Sequence, residues 1–415
     1  MTSNINLIIA AILFLSLIIF KIFISRKFRV TQTTKLYYYN KKLTIFLIIS
    51  SFLVFITSLI INIYQGGNDP SFKATINYLL NSLSIAILIF PFSILTLYKT
   101  SFKDEELISH TKTIVTNIYN PSFIKKFNRA GINVIILSSQ NISSRITSIS
   151  PDEIESRLLR KNLHIQTDNN EILKKQMNKE TTIYEFNDLQ NVYCQLQRAR
   201  GVHDNYIRSI KYLILTYLPL LLSYYFLTII NFPITYNILT IIILKIYTSI
   251  TSEYVYKHLP YDTDIMERKP KPYNVFIGKQ ELIFTIIESF CVFFILNVPY
   301  MFVFVENGSQ EFANTLFYTI FITINLFYTL SIISDSNFIK NLFKSIRCLP
   351  LIIYIIISIS LTILINFTNL LNTTNIGWHN YISCLLFSVI AIFINELIKL
   401  ARFTTTKGRK KCKSK

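Results

Sequence analysis

Charged side chains are scarce in this sequence. Of its 415 residues only 16% are Asp, Glu, Lys or Arg, whereas 51% are hydrophobic. Soluble domains carry about 25% charged residues, and they need polar side chains to cover their surface. The composition therefore argues against a water-soluble protein.

Cysteine and histidine are scarce as well, with five of each. A disulfide framework or a metal site needs these residues at short, regular spacings. Neither type is clustered here, and the cysteines lie apart at Cys194, Cys291, Cys348, Cys384 and Cys412. We predict no disulfide framework and no metal site, and no motif indicates a cofactor.

Long apolar stretches are abundant. About 20 apolar residues are needed to cross a bilayer. Nine stretches approach that length, at about residues 7–25, 43–64, 75–98, 212–231, 235–256, 282–305, 312–333, 348–367 and 378–398. The sequence thus predicts an all-α multi-spanning membrane protein with about nine transmembrane helices, surrounded by the lipid bilayer.

The net charge of +19 follows the predicted topology rather than forming a nucleic-acid surface. Lys and Arg are concentrated in segments 26–42, 257–281 and 334–347 and in the tail 401–415. Because Lys and Arg stay on the cytoplasmic side during insertion, we predict an outside or lumenal N-terminus and a cytoplasmic C-terminus. The pattern does not identify the membrane.

A polar segment divides the spans into two groups. Three spans lie in residues 1–98, with 26–42 as a short basic cytoplasmic segment, and six spans lie in 207–400. Residues 99–206 between them are predicted to form a reduced cytoplasmic domain, and 401–415 a basic cytoplasmic tail.

The polar segment contains one recognisable fragment. Residues 122–130 have helical spacing, Gly131 is placed to end that helix, and 133–137 form a short apolar run. A helix, a glycine and a buried strand predict a small α/β unit. Residues 141–184 are polar and weakly periodic, and much of this segment is predicted to be flexible. From about Phe186 a helical pattern runs into the fourth span.

Motifs around the fourth and fifth spans resemble a known family. Residues 200–205 (RGVHDN) and 210–213 (IKYL) are similar to the stalk motif GRxIYxNIxxFIxYL, and residues 259–270 (LPYDTDIMERKP) are similar to PPxxDIMxRxPR. Weaker agreement comes from Ala313, Thr315, 341–344 and 395–399. The last six spans thereby resemble the C-terminal membrane domain of cation-transporting P-type ATPases of the calcium-pump type.

The N-terminal half adds weaker similarity to the same family. Residues 125–141 are similar to LKKAGIKVxMxTGDN of the family's phosphorylation domain, so the resemblance implies a remnant of that domain near 122–141. It also implies that the first span is the family's second helix and that Pro91 is the first proline of its PEGLP helix break.

Catalytic motifs of that family are absent. No Asp is followed by the Lys-Thr-Gly that marks the phosphorylated aspartate, and the TGD carboxylate is replaced in Ser138-Ser139-Gln140. The GDGxND and TGE motifs have no counterpart, and the nucleotide-binding domain is missing by length. Aspartyl-phosphate chemistry needs these carboxylates. We therefore predict a pseudoenzyme that does not turn over ATP.

The family's ion-binding positions are altered too. The glutamate after Pro91 is Phe92, the Asn and Glu positions of the fourth span are Tyr217 and Leu220, and NxxTD of the fifth span is residues 245–249, KIYTS. Calcium needs several oxygen ligands, usually including carboxylates. A calcium site of the family type is not expected.

Candidate functional positions inside the membrane are Pro91, Lys245, Ser249, Glu288 and Asn325. Lys245 is either a countercharge or relay at the former ion site, with Glu288 as a possible partner, or a lysine that pairs or snorkels structurally. Pro91 is interpreted as retained helix-break geometry. Asn325 either joins helices or lines a pathway.

The expected function is that of a structural or regulatory membrane protein, partnering another membrane transporter or regulatory subunit. Two alternatives remain: a cation transporter or channel that works without ATP hydrolysis, and the membrane half of a split ion pump. A nucleic-acid partner is not expected.

Overall fold

A computed structural model describes part of the chain in detail. The described residues are 49–61, 63, 109–116, 118–137, 148–149, 163–164, 180–185, 188–233, 238–262, 264–270, 278–333, 343, 348–368 and 372–412. The predicted first and third spans, with Pro91, lie outside these ranges.

The described structure is mostly helical. Its helices are α1 (Ile49–Ile61), α2 (Pro121–Arg129), α3 (Leu189–Ile229), α4 (Ile238–Ile250), α5 (Lys279–Asn307), α6 (Gln310–Ile332), α7 (Leu349–Phe367) and α8 (Gly377–Cys412). Its strands are β1 (Thr113–Thr116), β2 (Asn133–Leu137), β3 (Ser148–Ile149), β4 (Leu163–His164) and β5 (Glu180–Glu185).

The chain divides into two compact units. One, here called the helical unit, comprises residues 1–100, 208–259 and 279–415. The other, the sheet unit, comprises 101–207 and 260–278. The division falls within α3, whose first 19 residues (189–207) belong to the sheet unit.

Five of the described helices are long and apolar enough to cross a membrane, namely α3, α5, α6, α7 and α8. Each coincides with a predicted span. The predicted spans at 43–64 and 235–256 appear as shorter apolar helices, Ile49–Ile61 and Leu239–Thr248. The chain is thus an integral, multi-pass membrane protein.

Helix α6 is the centre of the helical unit. It is the most buried of the five span helices, with 83% of its apolar window inside the fold. Two of its polar side chains bind α8: Thr323 hydrogen-bonds Ser388, and Ser331 accepts from Asn395 Nδ2 at 2.7 Å. In a bilayer, such interhelical hydrogen bonds help to fix which helices pack together.

The outer helices present bulky apolar side chains on their free faces. Phe294 and Phe302 on α5, Ile356 on α7 and Phe393 on α8 are all exposed in the isolated chain. Lipid tails are as apolar as these side chains, so such faces suit a bilayer. The inner faces carry the polar residues.

The sheet unit is built on five parallel strands in the order β3-β2-β1-β5-β4. The helix and strand predicted at 122–130 and 133–137 are present as α2 and β2. Asn120 caps α2 by accepting hydrogen bonds from the Ser122 and Phe123 amides, and Pro121 occupies its first turn, as helix starts prefer.

Gly131 ends α2 as its position predicts. It has φ +70°, a left-handed conformation that side chains with a Cβ disfavour. The next residue, Ile132, donates its amide to the Phe127 carbonyl at 2.9 Å, and β2 then pairs with β1 in the register Ile114↔Val134. Phe127 and Ile114 lie in the unit's apolar core.

The segment 141–184, much of which was predicted to be flexible, contains short strands that were not predicted. Strands β3 and β4 and most of β5 fall within it and pair in the sheet. β3 and β4 are only two residues long, so neither leaves a periodic pattern in the sequence.

Helix α3 begins close to the predicted Phe186. Asp188 caps it by accepting from the Gln190 amide at 2.9 Å and the Asn191 amide at 3.2 Å. Carboxylates are favourable there because they satisfy amides that have no partner within the helix.

Candidate functional site

Lys245 is the central residue of the candidate site in the helical unit. It lies within the apolar helix α4 and is only 3% exposed. Its Nζ lies 4.0 Å from the centroid of the Tyr217 ring on α3. The structure thus brings together two of the positions at which the family pattern has oxygen ligands.

The Tyr217 ring is held in this orientation by its hydroxyl group. The Tyr217 hydroxyl lies 2.7 Å from Thr248 Oγ1, and Thr248 Oγ1 donates to the Lys245 carbonyl at 3.1 Å. Because the Thr248 hydroxyl proton is already donated to the Lys245 carbonyl, the Tyr217 hydroxyl is the donor in its bond to Thr248 Oγ1. One helical turn of α4 therefore supplies both the cation above the ring and the acceptor that positions it.

The contact with the Tyr217 ring offsets a large part of the free-energy cost of burying the Lys245 charge. A lysine at the centre of a membrane helix costs about 2.5–3.5 kcal/mol on insertion scales. A cation over an aromatic face contributes about 2 kcal/mol or more when water is excluded. The two magnitudes are comparable, so α4 can keep a buried ammonium in this position.

Neighbouring family positions carry groups that are unsuited to a divalent cation. Leu220 is fully buried in the apolar core. The Tyr247 hydroxyl bonds the Tyr354 hydroxyl at 2.6 Å and Ser358 Oγ at 2.9 Å. Within the described ranges, no three His, Cys, Asp or Glu side chains are grouped to hold a metal ion.

Glu288 and Asn325 lie elsewhere in the same unit. Glu288 on α5 is 2% exposed and interacts electrostatically with Tyr328 on α6. Asn325 on α6 accepts from Thr216 Oγ1 on α3 at 2.9 Å, a bond that joins two helices. A pairing of Glu288 with Lys245 stays a prediction. The Ser249 side chain lies outside the described set, although its backbone is in α4.

Helix α4 changes its winding where it ends. A π-helical segment, Thr251–Val255, follows it directly, and a 3-10 turn, Tyr256–His258, follows that. Thr251 Oγ1 donates to the Tyr247 carbonyl at 3.0 Å. π-helical turns are often found at functional sites. No proline or glycine in the sequence marks this change of winding, so it was not predicted.

The loop that carries the most specific family motif lies in the sheet unit, where Arg268 organises it. Arg268 Nη2 lies 3.0 Å from Asp262 Oδ2 and 2.7 Å from Asp264 Oδ1, and Nη1 lies 3.6 Å from Asp204 Oδ2 on α3. The Asp262 side chain is only 2% exposed. A planar guanidinium suits such a multiple contact better than an ammonium.

Arg200 on α3 ties the same loop to α2. Its Nη1 donates to the Arg268 carbonyl at 2.9 Å, and its Nη2 donates to the Ala130 carbonyl at 3.2 Å. Burial lowers the pKa of Arg200 to about 10, although the nearby Asp204 acts in the opposite direction. The side chain is therefore still a cation at neutral pH.

Two glycines allow the close packing around these bonds. A Cβ on Gly201 would overlap the Tyr261 ring, and one on Gly131 would lie 3.1 Å from Lys269 Cα. Backbone and ring approach closely only where the Cβ is absent. The described motif residues at 200–205 and 260–270, all in the sheet unit, therefore form one packed assembly.

Comparison with known proteins supports the motif at 259–270 and the weaker ones that follow it, whereas the motifs at 200–205 and 210–213 lie outside the matched segment. The family model described as "Cation transporting ATPase, C-terminus" matches residues 233–401, which include α4 to α7 and most of α8. No curated protein matches the chain. The predicted resemblance is confirmed over this segment: residues 233–401 are a cation-transporting ATPase C-terminal domain.

Proposed function

We propose that this protein is a catalytically inactive relative of cation-transporting ATPases that acts as a structural or regulatory membrane protein. The observation that carries the proposal is the buried Lys245 ammonium, 4.0 Å from the Tyr217 ring centroid. A fixed positive charge at the family's ligand positions repels an entering cation and supplies no oxygen to replace its water.

The sheet unit supports the same proposal. The resemblance makes it a remnant of the phosphorylation domain, and we place it in the cytoplasm. Asp188, an acidic residue at the start of α3, already accepts hydrogen bonds from two helix amides. It acts there as a helix cap, whereas a phosphoryl acceptor must be free to attack.

Charge distribution supports an orientation with the C-terminus in the cytoplasm and the N-terminus outside or lumenal. Protease protection of epitope tags at either end, in sealed vesicles, tests it directly. We expect the C-terminal tag alone to be protected when the cytoplasmic side faces inward. Protection of both tags, or of the N-terminal tag alone, contradicts the orientation.

Affinity purification of the full chain in mild detergent tests the function. We expect no magnesium-dependent ATP hydrolysis by the lone chain, and co-isolation of a membrane transporter whose rate changes when the chain is added back. ATP turnover by the purified chain alone contradicts the inactive assignment. Co-isolation of a nucleotide-binding chain that restores turnover favours the membrane half of a split pump instead.

A second candidate is a cation transporter or channel that works without ATP. It is favoured by the acidic Glu288, 2% exposed in α5, because ionisable groups inside membrane helices often mark ion pathways. Cation flux into proteoliposomes separates the two candidates. Flux that is lost in Glu288→Gln but kept in the surface variant Glu306→Gln supports transport, and flux equal to that of empty liposomes excludes it.

A further inference from the structure

A small cavity lies within the sheet unit. Its volume is about 30 Å³, and its walls include Ser109, His110, Arg200, His203, Arg268 and Lys269. A cavity needs a volume of about 10–15 Å³ to hold one water molecule. The cavity therefore holds two or three waters or one compact ion, and its lining is rich in hydrogen-bond donors.

Arg200 offers an unused donor at this cavity. The residue is only 7% exposed. Its terminal nitrogens are committed to backbone carbonyls, but its Nε finds no acceptor among the described residues. A buried donor without a partner is unfavourable, so an acceptor that reaches Nε from the cavity would stabilise the fold.

Two histidines add to the donor-rich lining. His110 and His203 are each 6% exposed, and their rings meet edge to face with centroids 5.1 Å apart. Each imidazole carries at least one N–H. The neighbouring Lys269 is exposed to solvent and can move its ammonium toward a ligand.

Asp204 is the acidic residue in the lining, and its charge is already compensated. Its carboxylate lies 3.6 Å from Arg268 and 4.0 Å from His203 Nδ1. Burial lowers the pKa of Arg200 to about 10, although Asp204 acts in the opposite direction. Three cationic side chains, Arg200, Arg268 and Lys269, line the cavity against this one carboxylate, so the lining favours a negative ligand.

We propose that this cavity binds a small tetrahedral oxyanion such as inorganic phosphate, with Arg200 Nε, the His110–His203 pair and Lys269 as the donors. Charge-assisted hydrogen bonds from such groups suit oxyanions well. The cavity is far smaller than the several hundred cubic ångströms that an organic ligand occupies. A nucleotide is therefore not the expected ligand.

Thermal unfolding of the purified full chain in detergent tests the proposal. Inorganic phosphate is titrated while sodium chloride is adjusted to keep the ionic strength constant. We expect Tm to rise and to saturate, because a ligand that binds only the folded state stabilises it. We expect adenosine to have no effect and ATP to raise Tm less than phosphate does.

Lys269→Gln and His203→Phe are the informative variants. Lys269 is exposed, so Lys269→Gln is compatible with folding, and we expect it to raise the apparent Kd for phosphate about tenfold or more by removing a charged donor. Lys125→Gln on the exposed face of α2 is the matched control, and it should leave the Kd unchanged.

Three results would overturn the assignment. The first is a Tm rise with phosphate that is no larger than the rise with sodium chloride, in which case the cavity holds an adventitious ion only. The second is an equal phosphate affinity in Lys269→Gln, His203→Phe and Lys125→Gln. The third is tighter binding of ATP than of phosphate. None of these outcomes depends on whether the chain regulates a transporter.

Discussion

The contact between Lys245 and Tyr217 can be measured with a double-mutant cycle. The single variants are Lys245→Met, which removes the charge at similar volume, and Tyr217→Leu, which removes the ring. The double variant closes the cycle. Lys245 Nζ lies 4.0 Å from the ring centroid, and Lys245 is only 3% exposed, so water weakens the contact little.

We expect a coupling of about 2 kcal/mol, the value for a desolvated cation over an aromatic face. Lys245→Met alone should change stability by less than about 1 kcal/mol, because the loss of that contact offsets the relief of burying a charge. Tyr217→Leu should be clearly destabilising only while the lysine is present.

Reversible unfolding in mixed micelles, with a denaturing detergent as titrant, gives the four free energies. Tyr217→Phe is the matched control, because it keeps the ring and removes the hydroxyl that bonds Thr248. We expect it to cost about 1 kcal/mol and to preserve the coupling with Lys245. A coupling below about 0.5 kcal/mol between Lys245 and Tyr217 would refute the argument.

Three further substitutions test the packed assembly and the α6–α8 contact. Gly201→Ala should destabilise the sheet unit by about 1–3 kcal/mol, because the new Cβ overlaps the Tyr261 ring. In a Tyr261→Ala background the same change should stabilise the unit by about 1 kcal/mol, because alanine favours the helix more than glycine does. Limited proteolysis and Tm measure the change in stability in both backgrounds. Arg268→Lys should cost about 1.5–3 kcal/mol, because an ammonium cannot replace the guanidinium contacts to three carboxylates; an unchanged Tm would contradict this. Lys399→Met should lower Tm by removing the 2.6 Å bond from Nζ to a carbonyl near the end of α6. Gln280→Met, at an exposed position on α5, should leave Tm unchanged.

Sequence patterns predicted the elements that depend on local signals. Asn120, Pro121 and Gly131 mark the two ends of α2 through capping and φ preference, which act within a few residues. The span helices followed from apolar length alone. Both kinds of signal can be read from the sequence without knowledge of the tertiary fold.

Contacts between distant positions were not predictable in the same way. The sequence indicated that Lys245 faces other helices, a polar pocket or a carboxylate such as Glu288, and the family resemblance marked Tyr217 as an altered ligand position. It did not indicate that the two side chains meet, because they lie on different helices. The short strands β3 and β4 were missed for a related reason, since their pairing with other strands defines them.

The cavity at Arg200 is a third case. Its walls come from residues near 110, 200 and 268, which share no local pattern. A basic residue in a helix is usually exposed, so no local sequence pattern indicates a buried arginine there. The only available signal was the family motif that contains it.

Equilibrium calcium binding to the purified full chain tests the central claim most directly. The account predicts no saturable binding at micromolar calcium, in the wild type or in Lys245→Met, because the described family positions offer an ammonium, a ring and apolar groups. Stoichiometric, saturable calcium binding by the wild type, weakened by Glu288→Gln, would contradict it.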